Sequence, residues 1–204
     1  MAPDDCPTFD TALRTKLAEL SDEGWKIWSR FDREIRSRRW HPFVPADFER
    51  VLQALVALRR PGLRFLEWGS ATGVIAIMAD LLGYEAYGIE LDEDLVAISL
   101  ELVRQYGSGA RFVAGSFLPT GYTWRGHDGD GRLGTVGEGS SGYPKLGLSL
   151  DDFDVVYAYP WSGEEAMMHD LMRARGARDA NLLLQRSSGD VESFRNGKLR
   201  RWPA

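Results

Sequence analysis

The residues most suited to chemistry sit at the ends of two short apolar runs. Residues 65–73 read FLEWGSATG, with a carboxylate at Glu67 followed by Gly69, Ser70, Ala71, Thr72 and Gly73. Small residues at every second position let a ligand approach the backbone, and a helix that begins there presents N–H groups without internal partners. Pyrophosphate suits such a turn, yet it leaves the acid at the strand end with no role. A ligand with a cationic group gives Glu67 a partner. The second acid is Glu90, which closes YGIE in the next apolar run and can accept hydrogen bonds from both hydroxyls of a ribose. A nicotinamide dinucleotide fits less well, because its fingerprint needs glycines at 69, 71 and 74 where this chain has Gly69, Ala71 and Val74. Adenosine with a charged, phosphate-free tail fits better.

These residues require a scaffold that ends several strands at one place. Periodicity predicts strands over 63–68, 85–90, 110–114, 153–158 and 181–185. Helices are expected over 72–82, 93–106 and 164–175, the first two stopped by Gly83 and Gly107 and the third headed by a Ser162-to-Glu165 capping box. Strand–helix alternation of this kind calls for a parallel sheet covered on both faces. The C-terminal VESFRNGKLRRW reads as a hairpin around a type I′ Asn196-Gly197 turn, pairing Phe194 with Leu199 and Glu192 with Arg201. The expected class is therefore α/β: doubly wound and mostly parallel, closing in an antiparallel hairpin.

Outside that repeat lie two segments. Trp25, Trp28, Phe31 and Ile35 stand at helical spacing, interleaved with Lys26, Arg30, Arg33, Arg36, Arg38 and Arg39. This pattern suits a packing helix with its cations in water, a surface for a phosphate-bearing partner, or an aromatic wall of the substrate site. Pro42 and Pro45 then break the chain before a helix over 46–60 that turns Phe48, Val51, Leu52, Leu55 and Val56 inward. The expected division is an aromatic and basic extension, 1–45, and a cofactor-binding domain, 46–204. Within the latter, 119–147 holds nine glycines and almost no periodicity, as a lid over the cleft or a plain insertion would.

Composition narrows the classes. For a 204-residue chain a net charge of -5 argues against a dedicated nucleic-acid binder, although a local basic patch stays open. One cysteine, Cys6, excludes an intrachain disulfide, and three histidines make a structural zinc site a poor expectation. HDGDG in the insertion lacks the remainder of a calcium loop. The N-terminus does not read as a secretory signal and no apolar stretch reaches spanning length, so a cytoplasmic protein without membrane contact is expected.

With these residues in view, the chain resembles the class I S-adenosylmethionine-dependent methyltransferases. Glu67, Gly69, Ala71 and Gly73 stand where that family has an acid and spaced glycines after its first strand, with alanine at the middle glycine. The resemblance implies S-adenosylmethionine as cofactor and the Rossmann-like, seven-stranded methyltransferase fold, whose last strand is antiparallel and inserted by a closing hairpin. Glu67 would organise the amino-acid end of the cofactor, over the loop Gly69, Ser70, Ala71, Thr72 and Gly73. Glu90 would bind the ribose and Leu91 would lie against the adenine. Ser116 would replace the family's adenine-contacting acid, with Phe117 covering the ring.

Strand four runs into YAYPWSGEE, where amino-methylating members carry Asn or Asp, two prolines and an aromatic. Here Ala158, Tyr159, Pro160 and Trp161 occupy those places, so only the second proline and the aromatic match, which puts methylation of an adenine or glutamine amino group in doubt. Methyl transfer needs the acceptor close, in line and unprotonated, and asks little covalent chemistry of the protein. Tyr159 and Trp161 are the candidate catalytic residues, as pocket walls and, for the tyrosine hydroxyl, as an orienting group. Tyr157 shares the Tyr159 side of the strand or fills the sheet–helix layer. His41 and His127 are candidate proton acceptors, and His169 is expected on a helix face. The expected function is a methyltransferase acting on a small molecule or an exposed polar group. A nucleic-acid methyltransferase using the Arg-rich segment, and an S-adenosylmethionine-binding interaction protein without transfer, are the alternatives. The oligomeric state is open.

Overall fold

A computed structural model describes residues 9–38, 43–124, 139–161 and 163–200. Seven strands form one sheet in the order β3-β2-β1-β4-β5-β6-β7. They are β1 (Arg64–Trp68), β2 (Glu85–Glu90), β3 (Arg111–Ala114), β4 (Val155–Ala158), β5 (Asn181–Gln185), β6 (Val191–Arg195) and β7 (Lys198–Arg200). The first five are parallel, and β6 and β7 complete the sheet antiparallel to their neighbours. The helices are α1 (Thr11–Phe31), α2 (Phe48–Leu58), α3 (Val74–Leu81), α4 (Glu93–Tyr106), the short α5 (Tyr143–Leu146) and α6 (Glu165–Arg175). Among the described residues no helix is long and apolar enough to cross a membrane.

Side chains alternate across the strands, as a period of two demands. Phe65, Ala86, Phe112, Val155, Tyr157 and Leu183 join a core shared with α1, α2, α3 and α4. Leu66, Tyr87, Ile89, Val156, Leu182 and Leu184 face the opposite core, where Met167, Met168 and Leu171 of α6 and Tyr143 of α5 cover them. The doubly wound reading therefore holds, with strand and helix limits within a few residues of those expected. The expected capping residue, Ser162, lies outside the described residues, and α6 follows directly on Glu164.

One implied detail is corrected. The resemblance put the last strand inside the sheet, but β6 pairs directly with β5 and β7 takes the rim. A two-residue turn joins adjacent strands and leaves no room for a third between them. That turn is as expected: Asn196 and Gly197 both have positive φ, 53° and 68°, and Phe194 stands opposite Leu199. Arg201, the expected partner of Glu192, lies outside the described residues.

The N-terminal helix also packs differently from its aromatic spacing. Leu17, Leu20, Gly24 and Ile27 form the buried stripe of α1, whereas Trp25 is 44% exposed and makes edge contacts with Trp28 and Phe48. Gly24 sets how closely the helix approaches: a Cβ there would sit 2.9 Å from the Phe48 and Val74 side chains. Thus α1 shares its core with α2 and α3.

The two rims of the sheet are treated differently. Beyond β3, Ser116 forms a bridge with Ser141, the Ser116 N–H donating to the Ser140 carbonyl and the Gly142 N–H to that of Ser116, both at 2.8 Å. Lys145 Nζ donates to the Ala114 carbonyl at 2.6 Å. At the other rim the residues of β7 are all exposed.

Candidate active site

The strand order reverses between β1 and β4, and a parallel sheet opens a crevice beyond the carboxyl ends of its strands at such a point. A cavity of about 390 Å³ occupies this place. Its walls come from five strand ends: Trp68 and Gly69, Ile89 to Leu91, Gly115 and Phe117, Tyr159 to Trp161, and Ser187. Phe43 and Val44 close it from the segment before α2, and Glu164 and Met168 from α6.

The turn after β1 explains its own spacing. Gly69, Ala71 and Gly73 have φ of 65°, 45° and 74°, so every second residue takes the left-handed conformation that disfavours a Cβ. Glycine meets that demand at two positions. Ala71 tolerates it at a strain of about 1–2 kcal/mol. Two hydrogen bonds fasten the turn to β2, as the Gly69 and Ser70 N–H groups donate to the Ile89 carbonyl at 2.9 and 3.0 Å.

Glu90 then braces it from the side. Its Oε2 accepts the Ala71 N–H at 2.7 Å and its Oε1 accepts the Asp92 N–H at 3.0 Å, which aims the carboxylate along the cavity wall. Burial raises its pKa, and the N–H groups of Asp92, Ala71 and Leu91 act in the opposite direction. Each carboxylate oxygen has capacity for a further donor.

Glu67 lies deeper, 5% exposed, with Oε2 accepting the Ala76 N–H at 3.0 Å. Ala76 is in the first turn of α3, whose N-cap Gly73 has no side chain to offer. The strand-end acid therefore caps the following helix and occupies the anion site that a pyrophosphate would need. Burial pushes the Glu67 carboxyl well above the usual carboxylate range, the Ala76 N–H pulls it down, and the Glu90 charge adds to the rise. A small adjoining recess, lined among others by Glu67, Ser70, Thr72, Tyr157 and Tyr159, connects this acid to the cleft region.

The structure gathers most of the residues singled out in the sequence. Gly69, Ala71, Glu90, Leu91, Phe117, Tyr159 and Trp161 line the main cavity, and Glu67, Ser70 and Thr72 line the recess. Gly73 and Ser116 line neither. A Cβ on Gly73 would meet the Phe112 ring at 2.5 Å, and the buried Ser116 Oγ accepts the Leu118 N–H at 3.1 Å. The Tyr157 hydroxyl donates to Gln185 Oε1 at 2.9 Å, within the layer under α2. His169 is half-buried against the Phe194 ring, and burial and Arg186 lower its pKa. His41, His127 and the HDGDG stretch lie outside the described residues, and among those described no cluster suits a metal.

Several lining residues escaped the sequence reading. Trp68 stacks on Phe117 with ring centres 5.3 Å apart, and its indole N–H donates to the Tyr143 hydroxyl at 2.9 Å. Glu164 is 8% exposed, and its Oε2 accepts the Trp161 N–H at 2.9 Å. The capping pattern pointed to the helix start but not to the cavity beside it. Among the described residues that line the main cavity, Glu90 and Glu164 are acidic and none is Lys, Arg or His.

Comparison with known proteins finds partial likenesses. Over 74 residues, 35% of the chain, it is 36% identical to ribosomal protein L11 methyltransferase of Thermus thermophilus. The likeness is to methyltransferases. That matched segment spans 29% of the relative's length. Similar solved structures include precorrin-6Y C5,15-methyltransferase of Geobacter metallireducens, with a TM-score of 0.48, 14% identity and 71% of this chain and 64% of that one covered. Another is an RNA methyltransferase of Salinibacter ruber in complex with S-adenosylhomocysteine, with a TM-score of 0.49, 16% identity and coverages of 69% and 76%. No protein-family model matches the chain.

Proposed function

We propose that the protein binds S-adenosylmethionine in the cleft between β1 and β4 and is a methyltransferase whose acceptor is a small molecule or an exposed polar group. The observation that carries this reading is the placement of Glu90, a braced carboxylate at the end of β2 facing a cavity with no cation among its described lining residues. Glu90 would take the ribose hydroxyls, and Leu91 and Phe117 would cover the adenine. The turn from Gly69 to Gly73 would pass beneath the amino-acid end of the cofactor, with Glu67 behind it. When bound, the cofactor supplies an activated methyl group. The protein's part is to bind, to align and to exclude water.

The acid-lined cavity favours a cationic cofactor and disfavours phosphate. It also counts against a dinucleotide, because Glu67 already holds the first turn of α3. Tyr159 and Trp161 would form the wall beside the acceptor. Calorimetry on folded protein with S-adenosylmethionine and S-adenosylhomocysteine tests the reading; failure to bind either one rejects it. A nucleic-acid acceptor would instead give affinity that falls steeply with salt, in proportion to the phosphates contacted. Firm cofactor binding with no turnover on any acceptor class would favour the interaction protein.

A further inference from the structure

Gln185 ends β5 after three leucines, and it is 3% exposed. A buried amide is costly unless its polar atoms find partners. Its Oε1 takes two donors from different elements, the Tyr157 hydroxyl of β4 at 2.9 Å and the Asp47 N–H at 3.1 Å. Asp47 is the N-cap of α2, its side chain accepting the Arg50 N–H at 3.1 Å. The turn after β5 packs close to it, since a Cβ on Gly189 would lie 3.1 Å from Asp47 Oδ2. Segment 43–47 therefore runs between two holds. At one end the Phe43 ring meets Phe31 of α1 with centres 5.1 Å apart, and at the other Gln185 takes Asp47. Between them the chain is irregular, and Pro45 has no N–H to donate. Phe43 and Val44 line both the main cavity and the recess, and Pro45 and Ala46 line the recess opposite Glu67 and Ser70.

We propose that Gln185 is a positioning residue: it holds segment 43–47 as a strap across the recess, and the strap retains the cofactor once bound. This rests on the cofactor reading above, which puts the amino-acid end of the cofactor beside Glu67. Gln185 is not among the residues that line the cavity or the recess, so it acts through Asp47 and not by touching the ligand. Its bond is to a backbone N–H, which moors the chain itself and with it the lining residues from Phe43 to Ala46. The Tyr157 hydroxyl shares the same oxygen and helps fix the direction of the amide. Release of a ligand beneath the strap requires the strap to part from the sheet, so the bond weighs on the off-rate more than on the on-rate.

The test pairs Gln185→Met, which fills the space without a carbonyl oxygen, with Tyr84→Phe. The latter removes a buried bond to the Leu55 carbonyl, near the other end of α2, at 2.8 Å. Stopped-flow fluorescence measures dissociation of S-adenosylhomocysteine, and amide hydrogen exchange over 43–47 is measured on the ligand-free protein. Gln185→Met should speed dissociation by about fivefold, as loss of one neutral hydrogen bond implies, and should speed exchange over 43–47. Tyr84→Phe should change neither. Gln185→Thr, polar but too short to reach Asp47, should repeat the Gln185→Met result and replaces it if that variant does not fold. Dissociation within twofold of wild type in a folded Gln185 variant would overturn the proposal. So would an equal rise in Tyr84→Phe, the mark of general loosening. If wild type binds no S-adenosylhomocysteine the cofactor reading fails, and exchange over 43–47 still decides whether Gln185 holds the strap.

Discussion

Replacing Glu90 tests the ribose assignment and the bracing of the turn at once, and the two effects separate. Glu90→Ala removes the acceptor of the Ala71 and Asp92 N–H groups, bonds of 2.7 and 3.0 Å at a partly exposed site. Leaving such donors to water loses about 1 kcal/mol each, since water replaces part of the bond. For a chain of this size a loss of 1–2 kcal/mol lowers the melting temperature by roughly 2–8 °C. The ligand loses more. Two ribose hydroxyls on a carboxylate contribute about 1.5–3 kcal/mol each, so S-adenosylhomocysteine affinity should fall by roughly 10²–10⁴-fold. Calorimetry with S-adenosylhomocysteine, and with an analogue lacking both ribose hydroxyls, distinguishes a lost contact from a collapsed turn. Wild type should discriminate strongly between the two ligands, and Glu90→Ala should not. Affinity for S-adenosylhomocysteine within threefold of wild type in Glu90→Ala would refute the assignment.

Other perturbations read neighbouring parts of the structure. Because burial holds the Glu67 carboxyl well above its unfolded value, stability contributed by the protonated form is complete below the unfolded pKa and lost as pH rises through the folded one. Glu67→Gln should therefore flatten the decline of the melting temperature from mildly acidic to neutral pH, measured by calorimetric scans; an unchanged slope would place the titrating group elsewhere. Gly24→Ala should destabilise by about 1–2 kcal/mol in urea titrations, because crowding against Phe48 and Val74 outweighs a helix-propensity gain of about 1 kcal/mol. Trp68→Phe and Tyr143→Phe should each cost about 1–2 kcal/mol by stranding a buried partner, and the double variant should cost less than their sum. Tyr159→Phe should lower turnover more than twofold once an acceptor is found, if the hydroxyl orients it; equal turnover would leave the ring as a wall only.

How much of this was legible in the sequence differs by element. The run FLEWGSATG announced both a buried strand and a turn needing small residues, because the left-handed backbone at 69, 71 and 73 is a local requirement written into residue type. Asn196-Gly197 was equally local. The inward face of α1 was not: an aromatic stripe and an aliphatic one competed, and the Leu17, Leu20, Gly24 and Ile27 stripe fits tightly against Phe48 and Val74, residues far along the chain. The role of Glu67 as a cap for α3 depends on which first-turn N–H it can reach, a matter of strand–helix geometry. Trp68, Phe43 and Glu164 reach the cavity only because five strand ends converge there. No spacing within one segment records that convergence.

The rims of the sheet carry a consequence for how the molecule behaves in a crowded solution. Open strand edges invite other chains to extend the ladder and aggregate. Here a returning segment and Lys145 meet the chain at the end of β3, while the described residues of β7 include the exposed Lys198 and Arg200. A second copy laid against that edge would bring another pair of cations against them. Concentrated protein should accordingly stay dispersed at low ionic strength, with salt weakening that protection.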